Sequence, residues 1–320
     1  MSKKKTNRIT RRRSRTAWTK QRIIRCVVLS LFAFALLFTV GLFCYTAYRL
    51  TGTVLPTAEL WDGKPTIRFI DVGQGDCTLI TYRGDSILID AGPASSGDIA
   101  AEYVRMYAPK LDCFIITHPH EDHMGGAEDV LRAVDTETLI LSDIDADDAF
   151  FTDTLRVAEQ EHAEIIRLNG ARTLSVGEIE VEILDSFGFA YEDLNDASLV
   201  IRVTVGETTM LVTGDAEAGE EEHLLGICPE KLDCDILKVG HHGSKSSTTE
   251  AFVAAVSPQI CVISVGRGNS YGHPAEEVTR RIETFGAQIR RTDREGHVIV
   301  RGESSDNHGL LDIWRNIWYH

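Results

Sequence analysis

The sequence predicts an α+β fold, two mixed β-sheets covered by helices, preceded by one helix long enough to cross a membrane. Three observations carry this expectation. Hairpin patterns are interspersed with strand–helix units, which puts antiparallel and parallel pairing into the same sheets. Strongly polar motifs fall at the ends of apolar strand-like runs, where layered folds open into site-bearing loops. The 23 residues from Cys26 to Tyr48 carry no charge and follow a strongly basic start.

Residues 1–25 hold eleven Lys and Arg and no acid, and read as a basic cytoplasmic arm. The run 26–48 is rich in Leu, Phe, Val and Ala, enough at about 1.5 Å per residue to span a bilayer. A cleaved signal peptide would have a shorter apolar region and a small-x-small cut site, and Tyr45-Thr46-Ala47 is a poor one. The expectation is a single-pass anchor in the cell membrane, with the C-terminal domain outside the cytoplasm. Residues 49–65, punctuated by Gly52, Pro56, Gly63 and Pro65, read as a linker.

Charge bounds the partners. The net value of −15 hides an asymmetry: beyond residue 25 there are 22 basic against 48 acidic side chains, a balance of −26. Such a domain repels polyanions at long range, which argues against a broad nucleic-acid groove. Bound metal could still hold a phosphate locally. Of seven cysteines none forms a CxxC pair, and most sit in apolar runs, so they read as buried small hydrophobes rather than disulfides or zinc-finger ligands.

The domain proper is expected over 66–301. Its first strand, from Thr66 to Ile70, breaks at Asp71-Val72-Gly73-Gln74-Gly75-Asp76. Strands Cys77 to Tyr82 and Ser86 to Ile89 form a hairpin ending in Asp90-Ala91-Gly92. A helix from Gly97 to Tyr107 leads to a buried strand, Cys113 to Ile116. Helix Ala127 to Val134, strand Thr138 to Leu141, helix Phe150 to Gln160 and strand Glu164 to Leu168 continue the alternation. A turn-rich β segment, Thr173 to Leu184, and a polar loop to Asp196 come next. Strands Ser198 to Val205 and Thr208 to Val212 end in Gly214-Asp215, and an acidic helix runs from Glu217 to Leu225. Strand Asp235 to Val239 delivers Gly240-His241-His242-Gly243. Helix Thr249 to Val256, strand Gln259 to Val265, loop Gly266 to Pro274, helix Ala275 to Phe285 and strands Gln288 to Arg291 and His297 to Arg301 close the domain. Residues 302–320 form a tail in which Trp314 and Trp318 suit a short amphipathic helix.

The chemistry concentrates at Thr117–Gly126, where His118, His120, Glu121, Asp122 and His123 crowd six positions after an apolar strand. On an extended loop His118 and His120 point the same way, while Asp122 and His123 can aim at a second point nearby. Imidazole with carboxylate suits zinc, manganese or iron. Asp90, at the mouth of a buried strand, can orient a ligating histidine or cap its turn. Asp215 has lone pairs for two metals. Adjacent histidines at a strand end point in opposite directions, so one of His241 and His242 is a ligand, with His242 preferred. His273 is a candidate proton donor or phosphate contact.

Together the motif at 117–126, Phe69–Asp76, Ile87–Gly92, Thr213-Gly-Asp215-Ala-Glu, Lys238-Val-Gly-His-His242-Gly-Ser and Tyr271-Gly-His-Pro274 resemble the metallo-β-lactamase superfamily, and within it the hydrolase domain of ComEC-type competence DNA-uptake proteins. The resemblance implies a four-layer αβ/βα sandwich with two divalent metal ions, zinc or manganese, between the sheets. It implies His118 and His120 on one metal, Asp122, His123 and His242 on the other, and Asp215 bridging. Many members carry a further histidine ligand between the loop and the bridging Asp. Here the only one is His162, in a polar helical stretch, and Asp196, Ser198 or water is left to fill its place. The multi-helix channel of those proteins is not matched by the single apolar span. A separate channel protein is therefore a candidate partner.

The implied activity is metal-dependent phosphodiester hydrolysis, as a nuclease on DNA or oligonucleotides. Asp122 would ligate a metal and orient the attacking water, and His273 or His241 would protonate the leaving oxygen. The rivals are a small phosphodiester esterase acting on choline-phosphate or nucleotide esters, a lactam or thioester hydrolase, and a tethered, non-catalytic assembly protein of DNA uptake.

Overall fold

Apolar residues at alternating positions in short runs, divided by glycine turns, build two seven-stranded sheets in a computed structural model. It describes residues 22–23, 25–36, 38–39, 63–168, 170–184 and 194–302. The chain divides into two units, 1–55 and 56–320.

In the larger unit the strands are β1 (Thr66–Phe69), β2 (Thr78–Tyr82), β3 (Asp85–Ile89), β4 (Lys110–Ile116), β5 (Asp135–Ser142) and β6 (Glu164–Leu168). They are followed by β7 (Arg172–Val176), β8 (Ile179–Ile183), β9 (Ile201–Val205), β10 (Thr208–Val212), β11 (Ile236–Lys238), β12 (Ile260–Ile263), β13 (Gln288–Arg291) and β14 (Val298–Arg301). The first sheet has the order β14-β1-β2-β3-β4-β5-β6 and the second β13-β12-β11-β10-β9-β8-β7. Hairpin pairing makes β14 to β3 and β7 to β10 antiparallel. Crossovers make β3 to β6 and β10 to β13 parallel. The helices supplying those crossovers are Gly97–Tyr107, Ala127–Ala133 and Ala149–Gln160 in one half, and Ala218–Ile227, Glu250–Val256 and Glu276–Thr284 in the other.

The period of two decides what each strand residue touches. On β4, Cys113 and Ile115 join the core between the sheets, while Phe114 and Ile116 pack under the helices of the first sheet. On β12, Val262 faces the inter-sheet core and Cys261 and Ile263 face the helices of the second sheet. Strands covered on both faces read as continuous apolar runs, and each such side chain contributes roughly 1.5–3 kcal/mol of burial. Three hydrophobic layers thus separate four structural ones, an αβ/βα sandwich. Cys77, Cys113, Cys228, Cys234 and Cys261 are buried free thiols, as expected. Burial pushes those of Cys113 and Cys261 up to about 12, which leaves them unreactive.

The structure corrects the N-terminal expectation. Among the described residues no helix is long and apolar enough to cross a membrane. Residues 22–23, 25–36 and 38–39 are helical, and 37 and 40–48 of the expected span lie outside the described residues. The membrane-crossing helix over 26–48, and the single-pass membrane localisation built on it, are therefore not supported. Most of the basic arm and of the linker, the loop 185–193 and the tail beyond Gly302, with Trp314 and Trp318, lie outside the described residues.

Two local features differ from the expected ones at the site end. The motif after His120 is a single helical turn, Glu121–Met124, rather than extended chain. His241 and His242 do not continue β11. Both adopt left-handed backbone (φ 46 and 52) in a tight turn, so their divergence comes from that turn and not from strand alternation. Two consecutive non-glycine residues in this region store strain of about 1–3 kcal/mol each, the kind retained where a side chain must be aimed.

Candidate metal centre

All the candidate ligands lie where the strand ends of the two sheets meet. β4 runs into Thr117 and the motif loop, β10 into Gly214-Asp215, and β11 into the His241–His242 turn. The loops are stitched together by backbone. Asp76 N donates to Asp122 O at 3.0 Å, Asp90 N to Ile115 O at 2.8 Å, and His241 N to Gly214 O at 3.2 Å. Gly75 lies so close to the Asp122 carbonyl that a Cβ there would collide with it, which explains the glycine before Asp76.

The first cluster is His118 with His120. His118 Nε2 and His120 Nδ1 face each other at 3.0 Å. On the far side of its ring, His118 Nδ1 is 3.2 Å from both Ser198 Oγ and Thr117 Oγ1. Burial, then the charge of His123, holds His118 well below the usual imidazole value, so it is neutral with a lone pair to give.

The second cluster is Asp122, His123, Asp215 and His242, whose ligand atoms all lie within 4.8 Å of one another. His123 is fully buried. Its Nδ1 is 2.8 Å from Asp90 Oδ2, and its Nε2 is 3.1 Å from Asp215 Oδ1. Asp90 also accepts from Thr117 N (2.7 Å) and Thr117 Oγ1 (2.8 Å), so one carboxylate fixes both the loop and the histidine ring. His242 Nδ1 is 3.0 Å from Ser264 O and 3.3 Å from Asp76 Oδ1. Its Nε2 is 3.1 Å from Asp122 Oδ2 and 3.6 Å from Asp215 Oδ2. Both imidazoles therefore direct Nε2 at Asp215, one at each carboxylate oxygen.

Without a cation the charges compensate through protons. Burial would lower His242, but Asp215, Asp122 and Asp76 raise it to about 10. Burial would raise Asp122, but the bond to His242 and the charges of His123 and His242 pull it down to about 2. His123 Nε2 and Asp215 Oδ1, although 3.1 Å apart, are not aligned to hydrogen-bond with each other or with any other group. Buried polar atoms in that condition are costly and uncommon. With the His123 Nδ1 turned to Asp90, its Nε2 and Asp215 Oδ1 can each offer a lone pair to one point, an arrangement that a divalent cation fits.

Every ligand expected from the sequence is brought together: His118, His120, Asp122, His123, Asp215 and His242. The two proton-donor candidates lie at the rim. His241 Nδ1 is 3.1 Å from Glu217 Oε1, and its Nε2 is 3.7 Å from Asp215 Oδ2. The His273 ring lies 5.8 Å from that of His241. Of the groups considered for the absent histidine, His162 is exposed at the end of helix Ala149–Gln160. Asp196 Oδ1 accepts from Glu217 N at 2.8 Å, and Ser198 Oγ accepts from Asp215 N at 3.0 Å. Both of those contacts shape the loop carrying Asp215.

Three contributors went unassigned in the sequence. Lys238 Nζ sits 2.6 Å from Asp76 Oδ2, both almost wholly buried, directly behind His242. Glu217 holds His241 and accepts from Ser246 Oγ at 2.8 Å. The signal for the first pair was present: a lysine inside the apolar run Ile236-Leu237-Lys238-Val239, and an aspartate between a glycine and a strand. A buried charge needs a partner.

The sequence profile of the metallo-beta-lactamase superfamily matches residues 70–267. The chain belongs to that superfamily. It is 28% identical over 254 residues to ComE operon protein 3 of Bacillus subtilis, covering 73% of this chain and 33% of the relative. It is 29% identical over 237 residues to competence protein ComA of Neisseria gonorrhoeae, covering 73% and 32%. The chain thus spans about a third of the length of these relatives, and the ComEC-like hydrolase-domain resemblance holds for that part. Among solved structures, the metallo-beta-lactamase fold protein YhfI of Bacillus subtilis superimposes with a TM-score of 0.52 at 15% identity, covering 74% of this chain and all of the other. That match concerns the fold alone.

Proposed function

We propose that this superfamily member is a dinuclear metal-dependent phosphodiesterase, a nuclease acting on DNA or oligonucleotides, in keeping with its competence-protein relatives. One observation carries the reading: two buried imidazoles direct Nε2 at the two oxygens of one carboxylate, Asp215, beside a second histidine pair. His118 Nε2 and His120 Nδ1 would hold one cation, and Asp122, His123 Nε2 and His242 Nε2 the other, with Asp215 shared. Zinc and manganese both suit this donor set. Bound there, they supply a water of lowered pKa and stabilise the charge that builds up in the transition state.

The chain's own residues orient and protonate. Asp122 presents a carboxylate that stays ionised to about pH 2 and can direct the attacking water. Burial, and the charges of His241 and His242, lower His273 below the usual imidazole range, which suits it to contact substrate rather than to give a proton at neutral pH. His241 is better placed as the proton donor. Glu217 accepts from Nδ1 and so turns Nε2 towards the site. The −26 charge balance favours a second reading, a small phosphodiester in place of DNA.

The test is turnover of bis(p-nitrophenyl) phosphate, single-stranded DNA and nitrocefin by the purified full chain, with metals counted and with manganese or zinc supplied. Cleavage of the diester and of DNA, abolished by EDTA and reduced by Asp122→Ala, is expected. A metal-replete protein that turns over none of the three would end the hydrolase reading. Brisk diester turnover without DNA cleavage would select the small-ester reading. Metal loading should also depend on pH. In the metal-free protein His242 keeps a proton up to about pH 10, and a metal at Nε2 must displace it. Apparent cobalt affinity, read by absorbance, is therefore expected to rise with pH through the neutral range by about tenfold or more per unit. His123, which burial would lower but Asp215 and Asp90 hold above its ordinary value, gives up a proton too.

A further inference from the structure

We infer that Tyr271 is a stacking platform for a nucleobase flanking the scissile phosphodiester, an assignment that rests on the phosphodiesterase reading above. Tyr271 is 70% exposed, the most exposed large hydrophobic side chain among the described residues from 63 onward. It is nevertheless held on a fixed loop. Asn269 Oδ1 accepts from Tyr271 N (3.2 Å) and His273 N (3.1 Å), while Asn269 Nδ2 donates to Gly266 O (3.0 Å) and His273 O (2.7 Å). Gly266 N donates to Gln74 Oε1 at 3.0 Å, and Ala275 N to Gly243 O at 2.8 Å, which ties both ends of the loop to the segments that carry the metal-site residues. Four hydrogen bonds from one asparagine thus present an aromatic ring to solvent.

The ring is also aligned with the site. It lies nearly parallel to the His273 ring, at 15° and 5.9 Å between centroids. His273 is 5.8 Å from His241, whose Nε2 approaches Asp215 Oδ2. Tyr271 is therefore two ring spacings from the proposed proton donor, the neighbourhood in which the next residue of a bound diester would lie. An aromatic face there suits a planar ring, or a quaternary ammonium such as choline through cation–π attraction, and does little for a glycerol group.

The charge of the domain makes such a platform necessary. A nucleic-acid enzyme usually draws affinity from Lys and Arg against phosphates. Beyond residue 25 this chain carries a balance of −26, so that source is weak. Base–aromatic stacking needs no cation, tolerates any base, and adds up along a single strand.

Two substrates with one leaving group separate the outcomes: thymidine 5′-(p-nitrophenyl phosphate) and methyl p-nitrophenyl phosphate. The manganese-loaded full chain is expected to favour the thymidine ester in kcat/KM by about tenfold or more. Tyr271→Ala should erase that ratio, chiefly through KM, and Tyr271→Phe and Tyr271→Trp should keep it. A ratio unchanged in Tyr271→Ala overturns the assignment, as it would if the ring served only the nitrophenyl group. If the wild type turns over neither ester, the phosphodiesterase reading fails by itself. Fluorescence anisotropy with an oligothymidylate and its abasic counterpart then decides the platform. Equal binding of the two by the wild type overturns it, and a preference for the thymidylate that Tyr271→Ala removes upholds it.

Discussion

Lys238→Met is expected to cost the metal-free protein about 3–5 kcal/mol of stability, the usual price of leaving one member of a buried ion pair alone. The ammonium is 2.6 Å from Asp76 Oδ2, and neither side chain is more than 3% exposed. It also donates to Val239 O at 2.8 Å. Burial alone would raise the Asp76 carboxyl, yet Lys238 and then His242 outweigh it, and the group is held below its ordinary value. The sign of the pH dependence follows. A depressed carboxylate contributes stability above its unfolded value near 3.8, and loses it as pH falls through the folded one. The difference between wild type and Lys238→Met, followed by thermal melts in EDTA, should therefore be large at neutral pH and shrink on acidification. For a domain of this size a drop of roughly 6–20 °C is anticipated. The double variant Asp76→Asn with Lys238→Met removes both charges and should recover most of the loss. A single variant as stable as wild type at pH 7 would show that the pair contributes nothing.

That pair marks the boundary of what the sequence shows. The candidate ligands were legible because they follow apolar runs, four of them after 113–116, one after β10 and one after β11, so a local pattern announces both the strand and the polar groups it delivers. Asp90 was legible for the same reason, and its contact with His123 Nδ1 follows from its position beside the motif loop. Asp76 and Lys238 are each just as visible, but their partnership crosses from the first sheet's loop to an interior strand of the second sheet. No periodicity reports a contact between β1's exit loop and β11. Glu217 belongs to the same class. It stands two residues beyond Asp215 in an acidic stretch that reads as a solvated helix, and its grip on His241 depends on how the two loops fold back.

The fold itself followed from patterns of short range. Hairpins and strand–helix units predicted mixed sheets, and the observed pairing is antiparallel in one half of each sheet and parallel in the other. The pairing of β1 with β14, which joins Thr66 to Arg301, carries no local signal. The left-handed turn at His241–His242 was missed because steric preference argues against it, and only the surrounding packing pays for it. The N-terminal run erred in the opposite sense: uncharged composition over 26–48 satisfies a length rule, while among the described residues no helix meets it.

Asp215→Ala should produce the largest functional loss. Its Oδ1 faces His123 Nε2 at 3.1 Å, and its Oδ2 faces His242 Nε2 at 3.6 Å and His241 Nε2 at 3.7 Å. Asp122 also reaches this cluster, but Asp215 is the carboxylate that the proposal shares between the two cations, and its charge acts on His118 as well, so removal deprives both proposed metal positions at once. Metal content, two per chain by elemental analysis in the wild type, is expected to fall to one or fewer, and phosphodiester turnover by about 10³-fold, the loss of roughly 4 kcal/mol of transition-state stabilisation. Asp215→Asn discriminates further. It keeps the shape and one acceptor oxygen but places an N–H₂ against one of the two imidazoles, so it should retain a single metal with turnover still suppressed. Because Asp215 is held by Ser198 Oγ through its backbone N–H, neither variant removes that anchor. Wild-type turnover in Asp215→Asn with two metals retained would mean that each cation is held without a shared carboxylate, and the bridging role would pass to water.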